Sequence, residues 1–493
     1  MKSPSSPSAA TASVPFEFSF ESEFRKAEFG DRRLNRRATR FTNGALRRPE
    51  SSIPTMAGGS GGAEGLYKFI ANQKVTMSSI AQAHEQQTII RCQQAGEPVL
   101  LLHDTSTFGY GKETRRKGLG PTSDGSLGFL THLTLAVAER SARPLGVLKN
   151  KPFVRSAVEP DVGPARGRRR RECDRRADVE NESWRWSSQA IAAGRALGNV
   201  PRIHVADRES DDYKYLAALS DARESFVTRV SCNRVLGDGE NLYTTLDGMV
   251  VQLCREVRLS RRAPAPGPKQ RKTNPPREER MAKLEVSAGS VEIPRTRRAS
   301  RTTPAALRLN FVLVKEVEVP QGAAPVTWRL VTDLPVSTPE EIARVVDIYR
   351  KRWNIEEFFK ALKTGCSFND HQLESYEALT KLLALLLPVA WKLLDLCTVA
   401  RIEPEAPATV VLTAQQVQCL RILHDKQHPK AKMVEKPTVK QAIYALARLG
   451  GHFTHNGDPG WQTLGRGLQR VLQAEEDAVA MLAYIRLLET TNT

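Results

Sequence analysis

The absences in this chain narrow the field first. Its seven cysteines, Cys92, Cys173, Cys232, Cys254, Cys366, Cys397 and Cys419, are scattered, and no two of them form a CxxC pair. That spacing excludes a zinc ribbon and offers no disulfide framework. Scattered thiols fit a reducing cytoplasm. Residues 1–14 are rich in Ser, Pro and Ala but lack the apolar core of a secretory signal, so they predict a disordered tail. Long apolar runs are missing as well. The most apolar stretch, residues 382–391, contains Pro388 and is bordered by Lys381, Lys392 and Asp395. It is too short to span a bilayer and predicts a buried core helix. No internal repeat is visible. Acids are in deficit: 55 Asp plus Glu stand against 73 Lys plus Arg, a formal charge of +18. A chain that basic favours a polyanionic partner, because contacts to phosphates release condensed counterions. The same excess also fits a merely soluble basic protein.

What is present is ample. At 493 residues the chain has room for two to four domains of roughly 100–200 residues each. With 40% hydrophobic and 26% charged residues it reads as soluble and globular. Residues 20–90 predict helices: 23–42, a stretch over 62–74, and 77–92 with Ser78 or Ser79 as N-cap. The first is dense in arginine, with Arg32, Arg33, Arg36, Arg37 and Arg40. Residues 98–103 then form a short apolar run, a buried-strand pattern with Asp104 at its C-terminal end. Residues 127–137 and 144–148 predict strands, 155–182 an Arg-rich loop and 186–197 a helix. Residues 201–206 predict a strand closed by Asp207. The order strand, strand, strand, helix, strand implies a mixed α/β sheet. From 226 to 335 the texture is β-rich, with strands expected at 226–235, 309–319 and 326–332 around a basic, Pro-rich loop at 255–301. Residues 338–363 predict one long helix, opened by a Thr338/Glu341 capping box and closed at Gly365. Helices follow at 377–401, 437–449 and 467–489. The last carries an apolar stripe of Leu468, Val471, Leu472, Val479, Leu482 and Ile485, interrupted by Glu475. Such a stripe packs internally or serves a partner chain.

Two acids at strand ends and a third on a following helix suggest a carboxylate cage for a hard divalent cation. A carboxylate leaving a buried strand is costly unless it is paired or bound to metal. Taken singly, Asp104 and Asp207 equally fit residues that open a turn or cap a helix. On a continuous helix Tyr349, Arg352, Glu356, Lys360 and Lys363 share one narrow stripe, at spacings of 3, 4, 4 and 3. That stripe is either a site, with the acid on a metal and the cations and phenol on phosphates, or an exposed salt-bridge ladder.

Here the residues resemble a known family. Tyr349-x2-Arg352-x3-Glu356-x6-Lys363, within DIYRKRWNIEEFFKALKTG, is similar to the YREK signature of the IS-four family of insertion-sequence transposases, the Tn-five type. LLLHDTSTFGY and VADRESDDYKYL resemble that family's first and second Asp segments. EFGDRRLNRR and LYKFIANQKV resemble its N-terminal DNA-binding region, and YALARLGG a stretch near its C-terminus. The resemblance implies an α/β fold with an RNase H-like catalytic core and a β-rich insertion, between helical N-terminal and C-terminal regions. The implied division is a tail at 1–14, a helical DNA-binding domain at 15–92, a catalytic core at 93–375 with its insertion at about 230–335, and a helical dimerisation and DNA-contact region at 376–493. Asp104, Asp207 and Glu356 would be the catalytic and metal-binding triad, holding two Mg²⁺ ions, with Mn²⁺ able to substitute. The implied activity is cut and paste: a nick at the transposon end, attack of the freed 3′ hydroxyl on the opposite strand to close a hairpin, reopening by water, and joining to target DNA.

The resemblance also implies DNA contacts. Trp328, 21 residues before Tyr349, matches a Trp that stacks on a flipped base near the hairpin. Tyr349, Arg352 and Lys363 would grip the phosphate beside it, with Lys360 on the same stripe. Arg229, 22 residues after Asp207, matches a DNA-contacting Arg. Arg32, Arg33, Arg36 and Glu374 complete the nucleic-acid set. Gln372 and Ala378 depart from the family's pattern, so the recognised end sequence differs. The implied partners are double-stranded DNA and a second copy of the chain in the synaptic complex, in the cytoplasm at the bacterial nucleoid. Two other readings stay open on the sequence: an RNase H-like nuclease of junction-resolvase type, and a non-catalytic DNA-binding inhibitor or decayed copy.

Overall fold

Alternating and continuous apolar runs between residues 99 and 332 assemble into one mixed sheet of ten strands. The computed structural model describes residues 19–155, 182–259, 261–262, 276–297, 299–453 and 459–491. The expected tail at 1–14, nearly all of the Arg-rich loop at 155–182 and residues 260, 263–275 and 298 of the expected loop at 255–301 lie outside the described residues. The chain divides into two compact units.

The unit formed by residues 88–114 and 119–356 holds the sheet. Its strands are β1 (Val99–Gly109), β2 (Gly120–Pro121), β3 (Leu127–Ala138), β4 (Pro144–Phe153), β5 (Arg202–Ala206), β6 (Ser225–Arg229), β7 (Val251–Leu259), β8 (Arg280–Pro294), β9 (Ala306–Val317) and β10 (Thr327–Thr332). They lie in the order β2-β3-β1-β5-β6-β10-β9-β8-β7, with β4 also on β3. The β4-β3-β1 pairs are antiparallel, while β1-β5 and β5-β6 are parallel. Parallel strands need crossovers, and helices Glu182–Leu197 and Tyr213–Asp221 supply segments between them. Trp186, Phe226 and Phe311 lie in one buried cluster, and Val99, Leu101 and Leu197 in another. Each such side chain contributes roughly 1.5–3 kcal/mol on burial.

Several expectations need correction. Strand β1 runs five residues past Asp104, because its antiparallel ladder with β3 continues to Gly109. Asp104 therefore sits within a strand, just beyond the part paired in parallel with β5. The strand expected at 226–235 stops at Arg229, and Asp211 takes the Ser231 and Cys232 amides instead. Much of the described part of the segment at 255–301 is sheet rather than loop, belonging to β7 and β8, and β8 buries Ala282, Leu284, Val286 and Ala288 at strand spacing. The single helix at 338–363 is broken. The Thr338/Glu341 capping box and Pro339 start a helix over Pro339–Arg350 as expected. Then Lys351, Arg352, Asn354 and Ile355 donate to carbonyls three residues back, which tightens the chain before a second helix, Trp353–Lys360. Lys351 is held there by its ammonium on the Glu139 carbonyl (2.5 Å), and Asn354 Nδ2 donates to the Lys351 carbonyl (2.8 Å). A π-helical turn over Ala361–Gly365 follows, so Gly365 belongs to that turn and Cys366 is its cap.

The other unit, residues 1–87, 115–118 and 357–493, is helical in its described residues. Its N-terminal helices are Glu21–Phe24, Arg32–Arg47, Ile53–Met56 and Ser60–Ala71. The expected helix at 23–42 is thus two, separated where Asp31 caps the second. The helix Met77–Gln94 starts ahead of Ser78, and Thr76 Oγ1 accepts from the Ser79 amide (3.0 Å) as its cap. The helix Tyr376–Ile402 contains Pro388, and it is long and apolar enough to cross a membrane. Its most apolar window is wholly buried, as expected of a core helix. Buried Lys381 caps the carbonyls of Ile70 and Asn72. Helices Ala414–Gln427, Val439–Leu449 and Trp461–Thr491 complete the unit around a second core.

Candidate active site

The sheet's parallel register positions the first two acids. Leu102 pairs with Val205, so continuing that register by two residues sets Asp104 opposite Asp207 on one face. Asp104 is mostly buried, with a side chain 18% exposed. Its own strand satisfies one oxygen, which accepts from the Thr105 amide (2.8 Å). Burial and then Asp207 push its carboxyl up to about 7 from an ordinary 3.8, against the pull of Arg352. Asp207 leaves β5 and caps a short turn, accepting from the Glu209 amide (2.8 Å). The capping role considered for Asp207 is thus real, and it occupies only one carboxylate oxygen.

Glu356 lies in the first turn of the helix Trp353–Lys360. Arg352, immediately before that helix, reaches two acids. Its Nη2 donates to Glu356, and its Nη1 stands 3.6 Å from Asp104 Oδ2. Burial works against the Arg352 charge, but Tyr349, Glu356 and Asp104 together raise its pKa. Tyr349 ends the preceding helix, where it is buried, and burial raises its phenol above the usual range despite Arg352 and Arg229. Trp328 on β10 meets Tyr349 edge to face, with ring centroids 5.4 Å apart. Arg229 ends β6 and donates to the Thr327 carbonyl (3.2 Å). Asp104, Asp207, Glu356, Arg352, Tyr349, Trp328 and Arg229 are therefore gathered on one unit. Among the described residues no three Asp, Glu, His or Cys side chains are arranged to hold a metal ion as they stand.

The remaining expected residues belong to the helical unit. Lys360 is exposed and pairs with Glu357 (2.7 Å), while Lys363 lies in the π-helical turn. The helix break before Trp353 means that no continuous helical stripe runs from Tyr349 to Lys363. Glu374 is exposed, and its carbonyl accepts from the Lys117 amide (2.8 Å). Arg32 and Arg36 line an open cleft of about 1100 Å³ with Arg25, Arg40, Arg47 and Arg48. Arg33 and Arg36 also line a smaller recess.

One cluster was not anticipated. On the sheet face opposite Asp104, His103 Nε2 meets His204 Nδ1 (2.9 Å), and His204 Nε2 meets Glu224 (3.2 Å). Glu224 receives both Arg202 Nε and Nη2 at 2.7 Å. His103 is fully buried, and burial followed by its two histidine neighbours holds its pKa well below 6.5. The signal was a histidine inside each acid-bearing strand, where an apolar residue would be the usual occupant.

Comparison with known proteins now adds the family. Residues 19–75 match the family model of the transposase DNA-binding domain, and residues 188–390 match that of the transposase DDE domain. Together they span more than half of the chain. The chain belongs to the DDE transposases. Among solved structures it is similar to a piggyBac transposase synaptic complex with hairpin DNA, at 8% identity and a TM-score of 0.31, over 94% of this chain and 73% of that one. The first matched segment contains the arginine-lined helix Arg32–Arg47. The second contains Asp207 and Glu356 and begins downstream of Asp104. DDE transposase domains are typically metal-dependent.

Proposed function

We propose that this chain is a cut-and-paste transposase of a bacterial insertion sequence of the IS-four type. It binds terminal inverted repeats, cleaves through a hairpin intermediate and joins the 3′ ends to target DNA, working as a homodimer in the cytoplasm at the nucleoid. The observation that carries this reading is the parallel pairing of β1 with β5 up to Leu102 and Val205, two residues before Asp104 and Asp207, with Arg352 reaching from Asp104 to Glu356. The antiparallel β4-β3-β1 set followed by parallel β1-β5-β6 supports an RNase H-like core.

The donor set fits hard divalent ions. Three carboxylates suit Mg²⁺ or Mn²⁺, and the Asp104 proton held up to about 7 marks a buried site short of positive charge. Asp104, Asp207 and Glu356 would hold two ions, which supply an activated water and stabilise the leaving 3′ oxygen. The chain's other residues do the positioning. Arg352 offers a planar fork to a phosphate. The Tyr349 phenol stays protonated and can donate. The Trp328 ring lies beside Tyr349 and can stack on an extruded base, which offsets part of the unstacking cost. Arg229, Lys360, Lys363 and Glu374 serve further DNA contacts, and Arg32, Arg33 and Arg36 grip the end's backbone.

Cleavage of DNA carrying the element's ends, in Mg²⁺, tests this. Asp104→Asn, Asp207→Asn and Glu356→Gln each lower nicking by about a hundredfold or more. Trp328→Ala still nicks but forms hairpin about tenfold less, as loss of base stacking predicts. Nicking at the normal rate in the acid variants, or no hairpin from the unaltered protein, overturns the reading.

A further inference from the structure

Arg352 stands where the site needs a cation. Its guanidinium binds Glu356 through Nη2 and faces Asp104 through Nη1. The side chain is only 13% exposed. Its Nη1 is buried yet has no hydrogen-bond partner, since Asp104 Oδ2 at 3.6 Å is too far. One side chain thus stands between two of the three acids, hydrogen-bonds only Glu356, and keeps a donor unused.

We propose that Arg352 is an exchangeable counter-ion: in DNA-free protein it engages Asp104 and Glu356, and a DNA phosphate draws it away, so metal and DNA bind cooperatively. This rests on the reading of the trio as the metal site. A divalent ion and the guanidinium compete for the same carboxylate oxygens, and holding both would crowd three positive charges into one largely buried site. Arg352 cannot simply withdraw, because a buried cation without a partner is costly. A phosphate provides the alternative partner. It accepts two parallel N–H bonds from the fork, including one from the idle Nη1, and it leaves Asp104 and Glu356 open to the ion. The coupling is reciprocal: whatever factor DNA adds to metal affinity, metal adds to DNA affinity. The arrangement would hold the protein inert toward metal until DNA is seated.

Manganese titration followed by electron paramagnetic resonance tests this without reading activity. In DNA-free full-length protein, Arg352→Gln is expected to bind Mn²⁺ about tenfold more tightly than the unaltered chain, within the usual range of coupling. Adding Glu356→Gln to that variant abolishes the gain. A saturating short DNA hairpin at low salt raises Mn²⁺ affinity of the unaltered protein by a similar factor and leaves Arg352→Gln nearly unchanged. The unaltered protein gives a second readout that needs no variant: its affinity for the hairpin rises with Mn²⁺ by the same factor. Equal Mn²⁺ affinities for the unaltered and Arg352→Gln proteins without DNA, or equal enhancement of both by DNA, overturns the proposal while leaving the metal site in place. If Asp104→Asn leaves Mn²⁺ binding intact in every state, the metal-site reading falls and the proposal with it.

Discussion

At Asp104 the environment turns a common residue into a pH-sensitive one. Its carboxyl holds its proton up to about 7 in the fold, against an ordinary 3.8 when the chain is unfolded. Below about pH 4 both states are protonated and the residue is neutral toward stability. As pH rises toward 7 the unfolded state ionises first and gains on the folded one, and above 7 the folded state carries the full penalty. Metal-free protein therefore loses stability at this residue between about pH 4 and 7. Asp104→Asn removes the penalty. Its melting temperature in EDTA should equal that of the unaltered protein at pH 4 and exceed it at pH 8, by on the order of 5 °C. Matching curves at pH 8 would show that Asp104 carries no such strain. The acids themselves were legible because each breaks an apolar run or sits in a charged signature. The pairing of Arg352 with Glu356 followed from a spacing of four. The histidine chain behind them was not legible, because His103 and His204 are 101 residues apart and only strand pairing brings them together.

Among the elements, legibility depended on whether local pattern or tertiary context decided the outcome. The capping box at Thr338 is a local device and appeared as expected. The break after Arg350 is tertiary: Glu139, at the end of β3, takes both Arg344 and Lys351 and fixes where the first helix stops. Strand β8 lies in a segment, 255–301, whose basic, Pro-rich composition predicts loop, yet its alternate residues are buried. Period mattered there more than composition. The local device gives a clean test. Thr338→Ala leaves the Glu341 amide without its cap and should cost about 1 kcal/mol in denaturant unfolding. Thr338→Asn, which can still cap, should restore most of it. A loss of that size in both variants would show that the threonine contributes through something other than its cap.

For the whole molecule, the +18 charge pointed to a polyanion and the family models agree. The C-terminal stripe divides in a way that the sequence left open. Leu468, Val471 and Leu472 are buried in the helical unit's core, whereas Val479, Leu482 and Ile485 are exposed along with Met481 and Tyr484. Glu475, which interrupts the stripe, takes a hydrogen bond from Gln416 Nε2 (3.0 Å) and marks the end of inward packing. Helical spacing predicted both halves equally, because periodicity reports an apolar face and not what covers it. The outer half is the surface on which the proposed homodimer is expected to form. Replacing both Val479 and Leu482 by Glu tests that without threatening the fold, since exposed substitutions typically shift stability by about 0.5 kcal/mol or less. The doubly altered chain should melt like the unaltered protein and still bind a single end. Light scattering should find it monomeric on end DNA where the unaltered protein pairs two ends, because like charges placed directly opposite each other oppose association. A variant that still pairs two ends would move the dimer contact away from this helix.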